Sequence, residues 1–103
     1  MAKPIFVNFT DHNGDVVKTY TTVSIKTGMM DKVFDLAERA EELEKKREIK
    51  EVRVFYGDLK ALIVDLFGRQ FTFDELNDNV DQDELMAVLG RLVGRISGGM
   101  RKN

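Results

Sequence analysis

The chain of 103 residues has no cysteine and no tryptophan, and it has a single histidine. Without cysteine there is no disulfide framework, no thiolate metal site and no cysteine nucleophile. The lone His12 excludes a multi-histidine metal site, and the absence of tryptophan removes the usual aromatic platform for a sugar substrate. We therefore expect no cofactor, no metal site and no catalytic residues.

Long apolar runs and a strong charge of one sign are also missing. No stretch approaches the roughly 18 apolar residues that a membrane span requires, and Asn8 interrupts the apolar start too early for a signal peptide. The 16 basic and 18 acidic residues nearly balance, although residues 58–90 are acidic and 91–103 are basic. We expect one intracellular domain spanning residues 1–103.

A β-hairpin is predicted over residues 1–27. Apolar residues alternate with other residues from Ile5 to Phe9, as in a strand with one buried face. A second run rich in threonine, valine and tyrosine follows. Between the two runs lies the pair Asn13-Gly14, which accepts the positive φ of a tight turn. The histidine beside this pair is interpreted as a solvated turn residue and not as a proton carrier, because it has no orienting neighbour in the sequence.

The first predicted helix spans residues 29–47. Its apolar residues recur every three or four positions and so share one face. The pairs Glu41–Lys45 and Glu42–Lys46 have the acid four residues before the base, the favourable order on an exposed helix surface.

The second helix has an ambiguous start. Helical spacing of apolar residues runs through residues 50–67. However, Val52, Val54 and Tyr56 also alternate like a strand, and Gly57 is a poor helix former. The helix therefore begins near residue 50 or only after Gly57.

A glycine and a capping box mark the next boundary. Gly68 follows the last apolar residues and can take the left-handed conformation that ends a helix. Thr72 and Glu75 have the spacing of a capping box, in which each side chain bonds the backbone N–H of the other residue. Phe71 and Leu76 occupy the positions of the accompanying hydrophobic staple.

A second capping box is predicted at Asp81 and Glu84. The two boxes leave a short helix, residues 73–78, before a long final helix, residues 82–97. Residues 98–103 are predicted to form a flexible polar tail.

The final helix carries the candidate partner-binding residues. Four apolar side chains share one stripe along it: Leu85, Leu89, Leu92 and Ile96. They form either a contact surface for a partner or part of the core. Gly90 and Gly94 weaken this helix. Close packing against another helix is the favoured interpretation of the two glycines, and a helix kept marginal so that it can rearrange is the alternative.

Together these elements predict an α+β domain that is predominantly helical. An N-terminal antiparallel β-hairpin packs against about three main helices plus one short helix. The acidic residues between 74 and 84 lack the glycine and the final glutamate of a calcium-binding loop. No phosphate-binding loop and no arrangement of nucleophile and base is present either.

Two strings of the final third resemble one known family: Phe67-Gly68-Arg69-Gln70-Phe71-Thr72 and Val80-Asp81-Gln82-Asp83-Glu84-Leu85. In them the chain is similar to the tail assembly chaperones of long-tailed bacteriophages. The resemblance implies a non-catalytic protein of the host cell cytoplasm that binds the tape measure protein, keeps it soluble and helps to recruit tail tube protein. Self-association is a further option, and neither a membrane nor a nucleic-acid partner is expected.

Two other classes of function stay open. The basic residues of the C-terminal segment would let a small phage-encoded regulator contact DNA phosphates: Arg91, Arg95, Arg101 and Lys102. No helix-turn-helix spacing supports base readout, however. A small hydrolase that uses the acidic segment is the third option, without a motif to support it.

Overall fold

The structure, a computed structural model, describes residues 4–98 in full and the backbone of residues 99 and 100. Two strands and four helices follow each other along this part of the chain: β1 Ile5–Thr10, β2 Val16–Thr22, α1 Thr27–Lys45, α2 Ile49–Leu66, α3 Phe73–Asn79 and α4 Gln82–Met100. The strands form one antiparallel pair. The predicted α+β, predominantly helical fold is therefore confirmed.

One aspartate and one glycine build the turn between the strands. Asp11 Oδ1 accepts hydrogen bonds from the backbone N–H groups of Asn13 and Asp15, at 2.9 and 3.0 Å. Gly14 has a φ of +86°, a left-handed conformation that glycine adopts without a steric cost. The predicted hairpin is confirmed, and His12 lies exposed in its turn.

Helix α4 closes the outer edge of strand β1. The backbone N–H of Asn8 donates to Glu84 Oε2 at 3.0 Å, and Arg91 Nη1 donates to the carbonyl oxygen of Phe6 at 3.0 Å. Arg91 and Glu84 also pair with each other at 2.8 Å. Unpaired backbone groups at a strand edge invite pairing with other chains, so these bonds protect the hairpin from aggregation.

The second predicted capping box is only half correct. Asp81 Oδ1 accepts from the backbone N–H of Glu84 at 2.9 Å, as predicted. Within the described residues, however, the Glu84 carboxylate does not bond back to the backbone of Asp81, because it bonds strand β1 and Arg91 instead. The sequence of α4 alone cannot reveal this competition, since Asn8, which bonds the Glu84 carboxylate, is 76 positions away in the sequence.

Helix α2 is continuous through the stretch whose structure was ambiguous. It begins at Ile49 and runs past Gly57, so the alternative start after that glycine is wrong. The helical register buries one unbroken face, formed by Phe55, Leu59 and Leu62 among others. Burying each such side chain stabilises the fold by about 1.5–3 kcal/mol. This exceeds the cost of about 1 kcal/mol for a glycine inside a helix.

The link between α2 and α3 attaches the hairpin to the helices. Gly68 has a φ of +68° and ends α2, as predicted. Gln70 Nε2 donates to the carbonyl oxygen of Thr21 in β2 at 2.8 Å. The ring of Phe71 packs against that of Phe9 in β1, with centroids 5.1 Å apart. Two consecutive residues of the link, Gln70 and Phe71, therefore contact the two strands of the hairpin.

The capping box of α3 is confirmed in both halves. Thr72 Oγ1 accepts from the backbone N–H of Glu75 at 3.0 Å, and the backbone N–H of Thr72 donates to Glu75 Oε1 at 2.8 Å. The staple residues Phe71 and Leu76 are both buried. These contacts set the start of this short helix, as the sequence predicts.

Helix α4 turns its glycines to solvent. Gly90 and Gly94 are exposed, and a Cβ atom added at either would meet no group of another element within 4 Å. The favoured prediction of close helix packing at these glycines is therefore wrong, because the opposite face of α4 is the buried one. The helix continues to Met100, beyond its predicted end at 97, and residues 101–103 lie outside the described residues.

The molecule has a well-packed core and stretches of chain outside it, one of which joins α1 to α2. The core gathers the inner face of the hairpin and a stripe of each helix, and it contains no buried polar or charged side chain among the described residues. Between Leu36 in α1 and Phe55 in α2, by contrast, no residue is buried. We call this stretch, residues 37–54, the α1–α2 tip.

Candidate interaction surfaces

The four residues predicted to contact a partner lie in the core. Their exposed fractions are 5% for Leu85, 4% for Leu89, 0% for Leu92 and 7% for Ile96. The stripe therefore packs against the rest of the domain and is not an open surface in this conformation. Helical spacing alone could not separate these two roles, because a core stripe and a docking stripe have the same period.

Two of the four basic residues proposed for DNA binding are engaged within the fold. Arg91 bonds Phe6 and Glu84, and its guanidinium lies 3.8 Å from the centroid of the Phe6 ring. Arg95 Nη2 donates to the carbonyl oxygen of Val23. The other two bases, Arg101 and Lys102, lie outside the described residues. The described part of α4 thus offers no free basic stripe for phosphates.

An apolar groove of about 210 Å³ lies where α1, α2 and the start of α4 meet. We call it the junction groove, and its apolar lining consists of Ala40, Leu43, Val52, Phe55, Tyr56 and Met86. Except for Phe55, these side chains are only half-buried, so they are open to a partner. The sequence pattern does not reveal this groove, because its residues come from three helices and share no single periodic stripe.

Polar groups also line the junction groove. Gln82 Nε2 donates to the hydroxyl oxygen of Tyr56 at 3.0 Å. Glu44 and Arg47 lie on the rim beside α1. An apolar floor with a few fixed polar groups is the usual composition of a binding site.

A second and larger groove, of about 630 Å³, lies between the end of α1 and the start of α2. We call it the tip groove. Leu43 and Val54 form its apolar part, and Val54 is 53% exposed. Its rim is charged and carries Glu42, Lys45, Lys46, Glu48, Lys50 and Glu51.

Apart from Arg39, the charged side chains of the α1–α2 tip are exposed and form no ion pair among the described residues. Among the described residues, no ion pair within 4.0 Å joins Glu41 to Lys45 or Glu42 to Lys46, although the sequence places them at favourable spacing. Exposed pairs gain little Coulomb energy and lose side-chain entropy on forming, so such spacing does not ensure contact. Arg39, at the inner boundary of the tip groove, does pair with carboxylates on both helices.

The described residues contain neither a candidate metal-binding cluster nor a helix that could cross a membrane. No group of three or more histidine and acidic side chains in this part of the chain could hold a metal ion. None of the described helices combines the length and the apolar character needed to cross a membrane.

The architecture is that of a small α+β domain with a closed core and open surface grooves, which suits the binding of other proteins. The family model described as "Phage tail chaperone protein" matches residues 4–103. The chain therefore belongs to the phage tail chaperone family, and the resemblance drawn from its sequence is confirmed. Neither the curated proteins nor the solved structures include a significant match to this chain.

Proposed function

We propose that this protein is a non-catalytic tail assembly chaperone of the host cell cytoplasm. It binds the tape measure protein, keeps the apolar helical segments of that protein soluble, and helps to recruit tail tube protein during tail assembly. The observation that carries the proposal is the junction groove, an open apolar site in a chain that belongs to the phage tail chaperone family.

The junction groove suits an amphipathic helix. Such a helix presents apolar side chains at positions spaced by three or four residues, and it docks by laying them into an apolar groove. Leu43, Val52 and Tyr56 offer partly open apolar surface to these side chains. Met86 adds an unbranched, flexible side chain that adapts to different partner residues. Covering the apolar stripe of a partner in this way would keep that partner from aggregating.

The buried stripe of α4 supports this site indirectly. Leu85 precedes Met86 and is buried, so its packing holds the start of α4 against the domain. In this proposal the predicted residues Leu85, Leu89, Leu92 and Ile96 contribute to partner binding by positioning α4 and its Met86.

Co-expression with the tape measure protein of the same phage tests the proposal. The wild-type chain is expected to raise the soluble fraction of that protein several-fold. Val52→Glu, which places a charge in the junction groove, should lower it to the level without the chain. The matched control is Val54→Glu, two residues along α2 but outside the junction groove, and it should retain the wild-type effect. A tape measure protein that is equally soluble with and without the chain would contradict the proposal.

Two further measurements control for unfolding of the variants and test the recruitment step. Thermal melts of both variants should confirm that they fold. If Val52→Glu unfolds, Met86→Gln, which keeps the side-chain length, replaces it and should weaken binding without unfolding the domain. In a pull-down on the tape measure protein, the tail tube protein should be retained together with the wild-type chain. If the tail tube protein is not retained, the proposed recruitment of that protein is contradicted.

A further inference from the structure

We propose that a polar pocket beside the junction groove binds the carboxylate of an aspartate or glutamate side chain on the partner helix. The inference rests on the proposed function, because it names the chemistry of the helix that the junction groove takes. The pocket has a volume of about 190 Å³ and lies where α2, α3 and the start of α4 meet. We call it the anchor pocket, and its lining consists of Tyr56, Lys60, Asn77, Val80, Gln82 and Leu85.

The polar lining of the anchor pocket is rich in hydrogen-bond donors and contains no acidic side chain. Gln82 Nε2 donates to the hydroxyl oxygen of Tyr56 at 3.0 Å, so the hydroxyl hydrogen of Tyr56 can donate to a ligand. Lys60 Nζ donates to Asn77 Oδ1 at 2.6 Å, which leaves further ammonium hydrogens and the Asn77 amide hydrogens without an acceptor among the described residues. An anionic acceptor could bond several of these donors at once.

The positive charge of Lys60 has no opposite charge beside it. The side chain is half-buried and forms no ion pair within 4.0 Å in the part of the chain that the structure describes. Its Nζ atom lies 5.3 Å from the centroid of the Phe73 ring, which is a neutral neighbour like Asn77. A second cation would be repelled here, and an apolar side chain would leave the donors unbonded. A carboxylate supplies both the missing charge and the missing acceptor.

Two hydrogen bonds between helices hold these donors in place before any partner binds. The Tyr56–Gln82 bond joins α2 to α4, and the Lys60–Asn77 bond joins α2 to α3. The two apolar residues of the lining, Val80 and Leu85, are buried in the core. Groups that are already ordered lose little conformational entropy on binding, so the anchor pocket can fix the position of a ligand group at low cost.

The size and position of the anchor pocket favour a side chain of the partner helix over a separate small molecule. Sites for small molecules usually have volumes of about 300 Å³ or more, and this pocket is smaller. Tyr56 and Gln82 line both the anchor pocket and the junction groove, so the two sites are neighbours. A helix docked in the groove therefore reaches the pocket with one of its own side chains.

The spacing along α2 indicates where the acidic residue lies in the partner. Val52, Tyr56 and Lys60 follow each other at intervals of one helical turn, and all three are half-buried. The stretch from Val52 to Lys60 is about 12 Å long. A partner helix that lies along α2, with an apolar residue at Val52, brings a residue about seven or eight positions away to Lys60. We expect an aspartate or glutamate at that position.

Charge reversal at Lys60 tests the inference with the tape measure protein of the same phage, co-expressed with the full chain. Lys60→Glu should weaken the binding of that protein by about tenfold or more, because it sets two carboxylates against each other. The matched control is Lys32→Glu on α1, an exposed lysine that lines neither the junction groove nor the anchor pocket, and it should bind like the wild type. A pull-down over a range of concentrations measures the affinities.

A compensating change in the partner identifies the carboxylate. Tape measure protein variants in which one acidic residue at a time becomes lysine are tested against Lys60→Glu, and one of them should restore binding. Tyr56→Phe removes a single donor and keeps the ring in the junction groove, so it should weaken binding by about tenfold. Circular dichroism checks that each variant is folded. If Lys60→Glu unfolds, Lys60→Gln replaces it, with weaker binding expected because the charge is lost.

Two results would overturn the anchor pocket while leaving the proposed function in place. One is wild-type affinity for the tape measure protein in a folded Lys60→Glu or Lys60→Gln variant. The other is a complete set of lysine-substituted tape measure proteins in which none restores binding to Lys60→Glu, since the effect of that variant would then have another cause than a partner side chain. A wild-type chain that binds no tape measure protein contradicts the proposed function itself, and this inference fails with it.

Discussion

Two regions of the molecule, helix α4 and the α1–α2 tip, use their charged side chains in opposite ways. On α4, Glu84 and Arg91 have side-chain exposures of only 16% and 26%, and both bond the backbone of strand β1. At the α1–α2 tip, five acidic and five basic residues between 41 and 53 are all exposed, and none forms an ion pair within the described residues. The charges on α4 hold the fold together, whereas those at the tip are free to act on the surroundings.

The largest expected effect comes from shortening a leucine in each of the two regions. Leu92 is fully buried in α4, so Leu92→Ala should destabilise the domain by about 3 kcal/mol, through lost burial and the cavity left behind. Leu43 is half-buried at the tip, and Leu43→Ala should cost about 1 kcal/mol. Urea denaturation of both variants measures the difference. Equal costs would mean that the tip is as well packed as the core.

A smaller effect is expected from removing the charge that closes the edge of β1. Arg91→Ala loses the bonds to the Phe6 carbonyl oxygen and to Glu84, and it should lower the free energy of unfolding by about 2 kcal/mol. The variant should also aggregate more readily, because part of the edge of β1 becomes free. Lys45→Ala at the tip is the control, with a change within about 0.5 kcal/mol. If both variants behave alike in urea denaturation and light scattering, the contrast between the two regions is lost.

The smallest expected effect is a gain in stability. Gly90→Ala and Gly94→Ala should each stabilise the domain by about 1 kcal/mol, because both positions are helical and have free space for a Cβ atom. Thermal melts check this. Under the proposed function, the binding of tape measure protein by the double variant Gly90→Ala/Gly94→Ala then tests whether α4 must rearrange. Undiminished binding with a more stable fold argues against rearrangement, and weakened binding argues for it.

Local signals in the sequence predicted the boundaries of the fold well. The turn at Gly14, the end of α2 at Gly68 and the capping box of Thr72 with Glu75 are all present. Each depends on residues a few positions apart, whose conformational preferences act before any tertiary contact forms. The string that pointed to the family contains one of these local signals, because Gly68 ends a helix, and it also contains Gln70, which bonds Thr21 of strand β2.

The failures all involve a choice that local sequence leaves open. Glu84 has the spacing of a capping-box residue, but it bonds Asn8 from the other end of the chain. Gly90 and Gly94 have the spacing of a close helix contact, but they face solvent. In each case the residue type is compatible with two different surroundings, and the position of distant elements decides which one the residue has.

The sequence by itself determined the class of fold, the helix boundaries at Gly68 and Thr72, and the family of this protein, because caps, turns and apolar periodicity are short-range properties of the chain. Only the tertiary structure decided which apolar residues are core and which remain open. The stripe from Leu85 to Ile96 is buried because the rest of the domain packs over it. The junction groove stays partly open because three helices meet there without filling the space between them. Burial depends on what lies opposite a side chain, and the period of a helix carries no information about that.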